Sequence, residues 1–392
     1  MKQDINNYRP IRVMQITFGL EYGGLEQVIF NLCKFMDKNY FKFYICCTDR
    51  KGHLVNQMKK FGCEIEFCSF KNGVKKYFRF YEIAQILKKY RIDIVHTHNT
   101  PTFLDGVVAA KLARVPIVIN TDHCRLYPDK KRYMLAERIA SLLTDRIVAV
   151  SKHTKNDLVF WEHIRPEKIS VIYNGIPQLK RSTSKDLRDL KISLGINDSE
   201  MIVGSVGRLE YQKGYDLLIK AAASVTKTLP NVKFIIVGDG SKRFELKQLI
   251  ERFNLQEKVI LTGWKTNGTD FIKIFDIFVM TSNFEGMPIV LLEAMGAKKP
   301  IISTDVGGVP EMIKNDENGT IIPFRNANQF AKEISRLLSN KTLLIKYGEQ
   351  NHNRFLNEFS VESMIDKYKT LYLECFQKHY PQMLKYNSAC LC

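Results

Sequence analysis

Long apolar runs are missing from this 392-residue chain, and with them any segment of membrane-spanning length. No charged-then-apolar leader follows Met1, so no signal peptide is expected. Glycine (22) and proline (12) are too scarce for a fibrous or low-complexity chain. The nine cysteines are odd in number and include the adjacent pair Cys46 and Cys47, which fits a reducing cytosol better than a disulfide framework. No G-x-x-x-x-G-K-[ST] phosphate loop occurs. Acidic residues are the remaining shortage: 41 Asp+Glu stand against 59 Lys+Arg, a formal charge of +18. The excess is uneven, with residues 1–180 at +13 and the remainder at +5. A basic half of this kind faces nucleic acid, anionic lipid or an acidic substrate, or is simply a lysine-rich solvated surface. No nucleic-acid-binding module is recognisable, so nucleic acid is not expected as a partner.

What is present is a globular composition, 45% hydrophobic and 26% charged, in a chain long enough for two large domains. Short β-rich runs alternate with amphipathic stretches throughout. In the first half they are Ile11–Phe18, Phe41–Cys47, Ile92–His96, Pro116–Asn120, Arg146–Val150 and Ile169–Tyr173. In the second they are Met201–Val206, Val232–Val237, Val259–Leu261, Ile277–Met280, Pro300–Ser303 and Gly319–Ile322. Most are continuous rather than alternating, as parallel strands covered on both faces require. The fold class read from this pattern is α/β, with two Rossmann-like units. The expected division is 1–178, a linker with a short helix at 179–199, and 200–358. A helix at about 360–378 follows, then a tail at 379–392 expected to be disordered.

Ligands of such sheets bind beyond the carboxyl ends of the strands. After the first run come Gly23 and Gly24, just ahead of a helix, where backbone N–H groups can approach a phosphate. After Met201–Val206 the loop Gly207–Gly214 carries Arg208 and Lys213, able to turn a guanidinium and an ammonium toward one diphosphate. Alone, the pair fits two solvated loop cations better. Gly238 and Gly263 follow the next two strands. The most informative segment runs Glu285-Gly286-Met287-Pro288-Ile289-Val290-Leu291-Leu292-Glu293-Ala294-Met295-Gly296. Pro288 suits a helix start and Gly296 its end. Amides from Met287 to Val290 would then meet a sugar or phosphate, with Glu285 and Glu293 flanking them as hydroxyl acceptors.

With these segments in order, from Gly23-Gly24 through Asp93–Asn99, Asn120–His123, Asn174-Gly175, Gly207–Gly214, Val237–Gly240, Glu285–Gly296 and Gly307–Glu311, the chain resembles the retaining GT-B glycosyltransferases, in particular the large family 4. The resemblance implies two Rossmann-like domains whose parallel sheets face across a cleft. The terminal helix would return to the N-terminal domain. It implies a donor that is a nucleotide-diphosphate sugar, UDP-sugar rather than GDP-sugar, with no tightly bound cofactor. Arg208 and Lys213 would hold the diphosphate, Glu285 the transferred sugar and Glu293 the ribose. Residues 286–291 would touch sugar and phosphates, with Gly24 near the diphosphate and His123 near the reactive face of the sugar. No two aspartates stand two apart, so there is no D-x-D metal motif and no metal is expected. Many relatives carry an aspartate after the segment Asn174-Gly175-Ile176 where this chain has Pro177, which implies a stiffer hinge.

The resemblance also implies that the N-terminal domain recognises the acceptor, and that domain holds the excess charge. The expected acceptor is lipid-linked or a polysaccharide, and the expected setting is cytoplasmic, at the inner face of the cell membrane. The stretch Lys71–Tyr81 mixes cations with rings, which suits anionic headgroups. Lys75, Lys76, Arg79, His98 and Arg125 are accordingly candidates for acceptor or membrane contact. The same stretch equally fits a helix with core aromatics and solvated lysines. His96 and His98 share one side of a strand, but packing or an acceptor contact suits them better than a zinc site. Two other functions remain open: a GT-B synthase making a soluble glycoside or glucan, and a catalytically degenerate binding protein for anionic membrane.

Overall fold

The computed structural model describes residues 9–49, 52–68, 78–323 and 326–382. Two units result: one takes the described residues through Gly175 and again from Val361, the other Ile176–Ser360.

In the first unit the continuous runs become parallel strands buried on both faces. They are β1 (Ile11–Thr17), β2 (Phe41–Cys47), β3 (Glu64–Phe67), β4 (Ile94–His98), β5 (Ile117–Asp122), β6 (Arg146–Ala149) and β7 (Ile169–Val171). Their order is β3-β2-β1-β4-β5-β6-β7. The sheet therefore grows in opposite directions from β1 and β4, and the loops after those strands flank a switch point. β3 escapes the sequence pattern: it has four residues, Glu-Ile-Glu-Phe, with acids alternating at an edge. β4 and β5 run two residues beyond their apolar runs, because His98 and Asp122 find polar partners inside the layer.

The second unit has β8 (Met201–Val206), β9 (Val232–Val237), β10 (Val259–Leu261), β11 (Ile277–Met280), β12 (Ile301–Thr304) and β13 (Gly319–Ile322), ordered β10-β9-β8-β11-β12-β13. The switch point here lies between β8 and β11, paired with Ile277 opposite Val203. Core residues such as Val203, Phe234, Ile236, Ile277 and Ile302 are fully buried, each worth about 1.5–3 kcal/mol. Residues 179–199, read as a linker, pack within this unit. Thr183 and Asp186 form a capping box on the helix Ser184–Ser193, and Lys273 Nζ donates to Lys180 O and Ser182 Oγ, each at 2.6 Å.

The helix Val361–His379 belongs to the first unit. Its stripe of Val361, Met364, Ile365, Tyr368 and Leu371 is buried, as is Tyr372, whose ring lies 5.7 Å from that of Phe41. The helix extends to His379, which pairs with Asp145 at 2.7 Å, so the ordered chain passes the expected start of the tail. Residues 383–392 of that tail lie outside the described residues. Among the described residues no helix is long and apolar enough to cross a membrane.

Candidate functional site

In the second unit, neighbouring strands deliver three loops to one place. The loop after β8 holds Arg208 and a short turn ending at Lys213. The loop after β11 holds Ser282 and Glu285, and that after β12 holds Gly307 and Gly308. Lys213 Nζ donates to Glu285 Oε1 at 2.6 Å, and Ser282 Oγ donates to the same oxygen at 2.7 Å. Gln212 Nε2 reaches Phe284 O at 3.2 Å, and Asn283 N donates to Gln212 O at 2.7 Å. Gly308 N donates to Gly286 O at 2.7 Å. Gly307 has φ +52°, and a side chain there would run into the Glu285 carbonyl, so only glycine lets the third loop close on the second. Gly207 N donates to Val237 O at 2.9 Å, and Gly238 N to Gly263 O at 3.0 Å, which aligns the outer loops with the same rim.

Lys213 and Glu285, 72 residues apart in the chain, thus form an ion pair whose carboxylate side chain is only 6% exposed. The ammonium has three protons, and Glu285 takes one of them. Arg208 is exposed on the same loop. Gly286 and the buried Met287 lead through Pro288 into the helix Ile289–Gly296, whose first-turn amides at Ile289 and Val290 precede the helical ladder and give that end positive character. Leu291 N bonds back to Pro288 O at 3.1 Å and is less open to a ligand than the sequence implied. Glu293, one turn further on, is largely desolvated, and burial pushes its carboxyl up to about 7.

Because that value lies above the ordinary carboxylate range, ionised Glu293 opposes folding. The penalty is absent below about pH 4.5, grows as pH rises, and is complete above 7. Glu293→Gln is therefore expected to raise the thermal midpoint at pH 8 by several degrees, for about 1–3 kcal/mol, and to change little at pH 4.5. Thermal melts of both proteins at the two pH values check this, and an equal shift at both would refute it.

The first unit assembles a buried polar chain. His98 Nε2 lies 2.7 Å from Gln15 Oε1, a carbonyl oxygen that only accepts, so the proton of a neutral His98 sits on Nε2. Its Nδ1 must then accept from His123 Nε2 at 2.9 Å, which leaves His123 Nδ1 as an acceptor. Gln15 Nε2 donates to the Tyr372 hydroxyl at 3.1 Å. That hydroxyl meets His96 Nδ1 at 2.7 Å, while His96 Nε2 meets Thr121 Oγ1 at 2.7 Å. Burial holds His96 and His123 down at about 3 and His98 well below its ordinary value, so all three rings are neutral at physiological pH. Both nitrogens of His96 and of His98 are engaged within the protein, which leaves neither a lone pair for zinc. Gln15 and Tyr372 went unnoticed in the sequence, and Tyr368 was read only as part of the apolar stripe of the terminal helix. A glutamine inside an otherwise apolar strand and two tyrosines four apart on a core stripe were the available signals.

The acceptor-side candidates lie in different surroundings. His98 is buried, with its ring inside the chain just described, and presents nothing to an outer surface. Arg79 pairs with Asp105 at 3.0 Å with its side chain 15% exposed. Arg125, a candidate for acceptor or membrane contact, is enclosed. Its Nη2 meets Asp122 Oδ2, Glu137 Oε2 and Glu162 Oε1, and Nη1 donates to Thr100 Oγ1 at 2.9 Å. Three carboxylates around one guanidinium leave an excess of negative charge, and desolvation with the neighbouring Glu137 pushes Glu162 up to about 9. Lys75 and Lys76 lie outside the described residues. Gly23 and Gly24 stand exposed at the start of the helix Gly24–Phe35, after β1 at the switch point.

Comparison with known proteins follows the same division. A family model described as Glycosyl transferases group 1 matches residues 187–354, and one described as Glycosyltransferase Family 4 matches residues 22–178. The chain is 32% identical over 302 residues to the UDP-Gal:alpha-D-GlcNAc-diphosphoundecaprenol alpha-1,3-galactosyltransferase of Escherichia coli, covering 74% of this chain and 78% of that one. It is 27% identical over 354 residues to the N-acetylgalactosamine-N,N'-diacetylbacillosaminyl-diphospho-undecaprenol 4-alpha-N-acetylgalactosaminyltransferase of Campylobacter jejuni, covering 86% and 93%. The crystal structure of Anabaena Alr3699/HepE in complex with UDP superposes with a TM-score of 0.81 at 21% identity, covering 93% of this chain and 100% of that one.

Proposed function

Since the chain belongs to the group 1, family 4 glycosyltransferases and has their GT-B fold, we propose that it is a retaining transferase. In this reading it moves a sugar from a UDP-sugar to a hydroxyl of a lipid-linked or polysaccharide acceptor in cell-envelope glycan synthesis. The observation that carries it is the Lys213–Glu285 pair, held where three strand-end loops converge at the switch point of the second sheet. The donor preference leans on relatives: the E. coli enzyme is named for UDP-Gal, and the Anabaena structure holds UDP. The acceptor class leans on the diphosphoundecaprenol-linked substrates named for the E. coli and Campylobacter enzymes.

Chemistry then assigns the roles. Lys213 and Arg208 neutralise the diphosphate as the bond from its oxygen to the anomeric carbon breaks, assisted by the amides at Ile289 and Val290. No metal is needed for that charge. Glu285, anchored by Lys213 and Ser282, accepts from sugar hydroxyls and is committed to binding rather than to covalent attack. Glu293 accepts from the ribose. His123 Nδ1, fixed as an acceptor by His98, takes a hydroxyl proton into a hydrogen bond and, being neutral, adds no charge. The acceptor oxygen attacks on the face the phosphate leaves, its proton passes to the departing phosphate oxygen, and the anomeric configuration is kept.

A thermal-shift screen of UDP- and GDP-sugars, followed by donor hydrolysis in excess chelator, tests this. A UDP-sugar should raise the midpoint and be hydrolysed slowly at a rate that chelator leaves unchanged. Failure of every nucleotide sugar to bind would remove the transferase reading.

A further inference from the structure

The helix Lys131–Leu142 turns Glu137, Ala140 and Ser141 inward. Its outer face is unusual for a soluble surface. Leu135, Ile139 and Leu142, spaced i, i+4, i+7, are 57%, 55% and 61% exposed and form one stripe. Isolated exposed leucines are ordinary, but three aligned on one helix are an apolar strip that water does not favour. At 100° per residue, exposed Lys131 and Arg138 fall along one side of the strip and exposed Arg132 along the other. The helix exposes no carboxylate: its one acid, Glu137, is turned in to Arg125. The exposed Phe160 and Trp161, packed edge to face at 4.9 Å, lie on the helix Lys152–Glu162, whose Glu162 meets the same guanidinium.

We infer that this outer face is the surface through which the chain docks on an anionic lipid bilayer, the leucines and isoleucine entering the headgroup boundary between flanking cations. Charge decides the occupant: an apolar strip bordered by cations on both sides and without acids matches phosphate headgroups, while a second copy of the same face would bring like charges together. The docked helix is tied to the site. Arg125 joins Glu137 on this helix to Asp122, the neighbour of His123 at the end of β5. The inference goes beyond the transferase reading and does not depend on it.

Sedimentation with phosphatidylcholine vesicles, with and without phosphatidylglycerol, at low and high salt, tests the assignment. The native chain should co-sediment with phosphatidylglycerol vesicles at low salt and be released at high salt. The Leu135→Gln/Ile139→Gln/Leu142→Gln variant should bind at least about tenfold more weakly with an unchanged thermal midpoint, since the replaced side chains are exposed. The Lys131→Glu/Arg132→Glu/Arg138→Glu variant should lose the dependence on phosphatidylglycerol, and it decides the matter if the first variant folds poorly. A native chain that stays in the supernatant overturns the inference, as do variants that bind like it. So does concentration-dependent self-association abolished by the glutamine variant, which would assign the face to a second copy. A UDP-sugar thermal shift on the same samples separates this failure from failure of the donor site.

Discussion

With Lys213 changed to methionine, sugar transfer is expected to fall by about 10²- to 10³-fold, the usual cost of removing one preorganised donor from a developing anion. Methionine keeps much of the apolar stem, so the loss is one of charge. Two effects combine. In the proposed reaction the departing diphosphate loses its ammonium, and Glu285, still held by Ser282 at 2.7 Å, now turns an uncompensated carboxylate toward the incoming donor. The donor Kd therefore rises along with the fall in kcat. Glu285→Gln alone weakens the proposed sugar contact, and in the double variant the two losses should fail to add because each single change already breaks the shared pair. Steady-state kinetics and donor titration of the three variants measure this. A Lys213→Met enzyme within threefold of the native rate would remove Lys213 from the machinery.

The second large effect concerns stability. Arg125→Met is expected to cost about 3–5 kcal/mol, since it strands the carboxylates of Asp122 and Glu137 in a buried site with no cation among them, Glu162 being held protonated at neutral pH. For a unit of this size that lowers the thermal midpoint by about 10 °C. Adding Glu137→Gln and Glu162→Gln recovers most of it, because neutral amides need no counter-charge. The sign of the pH dependence is fixed. Carboxyls left without a guanidinium are held above their unfolded values, so the penalty is full at high pH and shrinks as acid protonates them. Thermal melts of the single and triple variants from pH 5 to 8 decide it. A defect that is constant with pH, or not rescued by the amides, would show that Arg125 acts by packing alone.

Much of this is legible in the sequence. Twelve of the strands announce themselves as apolar runs, because a parallel strand is covered on both faces and needs no polar alternation. The Glu285–Gly296 segment, with proline at the helix start and glycine at its end, was equally plain, whereas the pairing of Lys213 with Glu285 across 72 residues was not read from the sequence. Two things were hidden. A four-residue edge strand with two glutamates carries no apolar signature. Basic clusters could not be sorted into free and spent charge either, because Arg125 finds Glu137 and Glu162 only through tertiary packing. The apolar strip at Leu135, Ile139 and Leu142 was hidden for the complementary reason: helical periodicity marks a face as apolar without saying whether anything covers it.

The helix Val361–His379 also sets an order of events during synthesis. Its Tyr372 hydroxyl closes the chain from Gln15 to His96, and its Tyr368 hydroxyl bonds Thr121 at 3.1 Å, so the first sheet lacks part of its inner lining until this late segment emerges. The second unit, Ile176–Ser360, is continuous and has no such debt to later sequence. A released chain truncated after Ser360 should therefore protect the later-encoded unit from protease while the earlier one is still cut, the reverse of the usual N-to-C order.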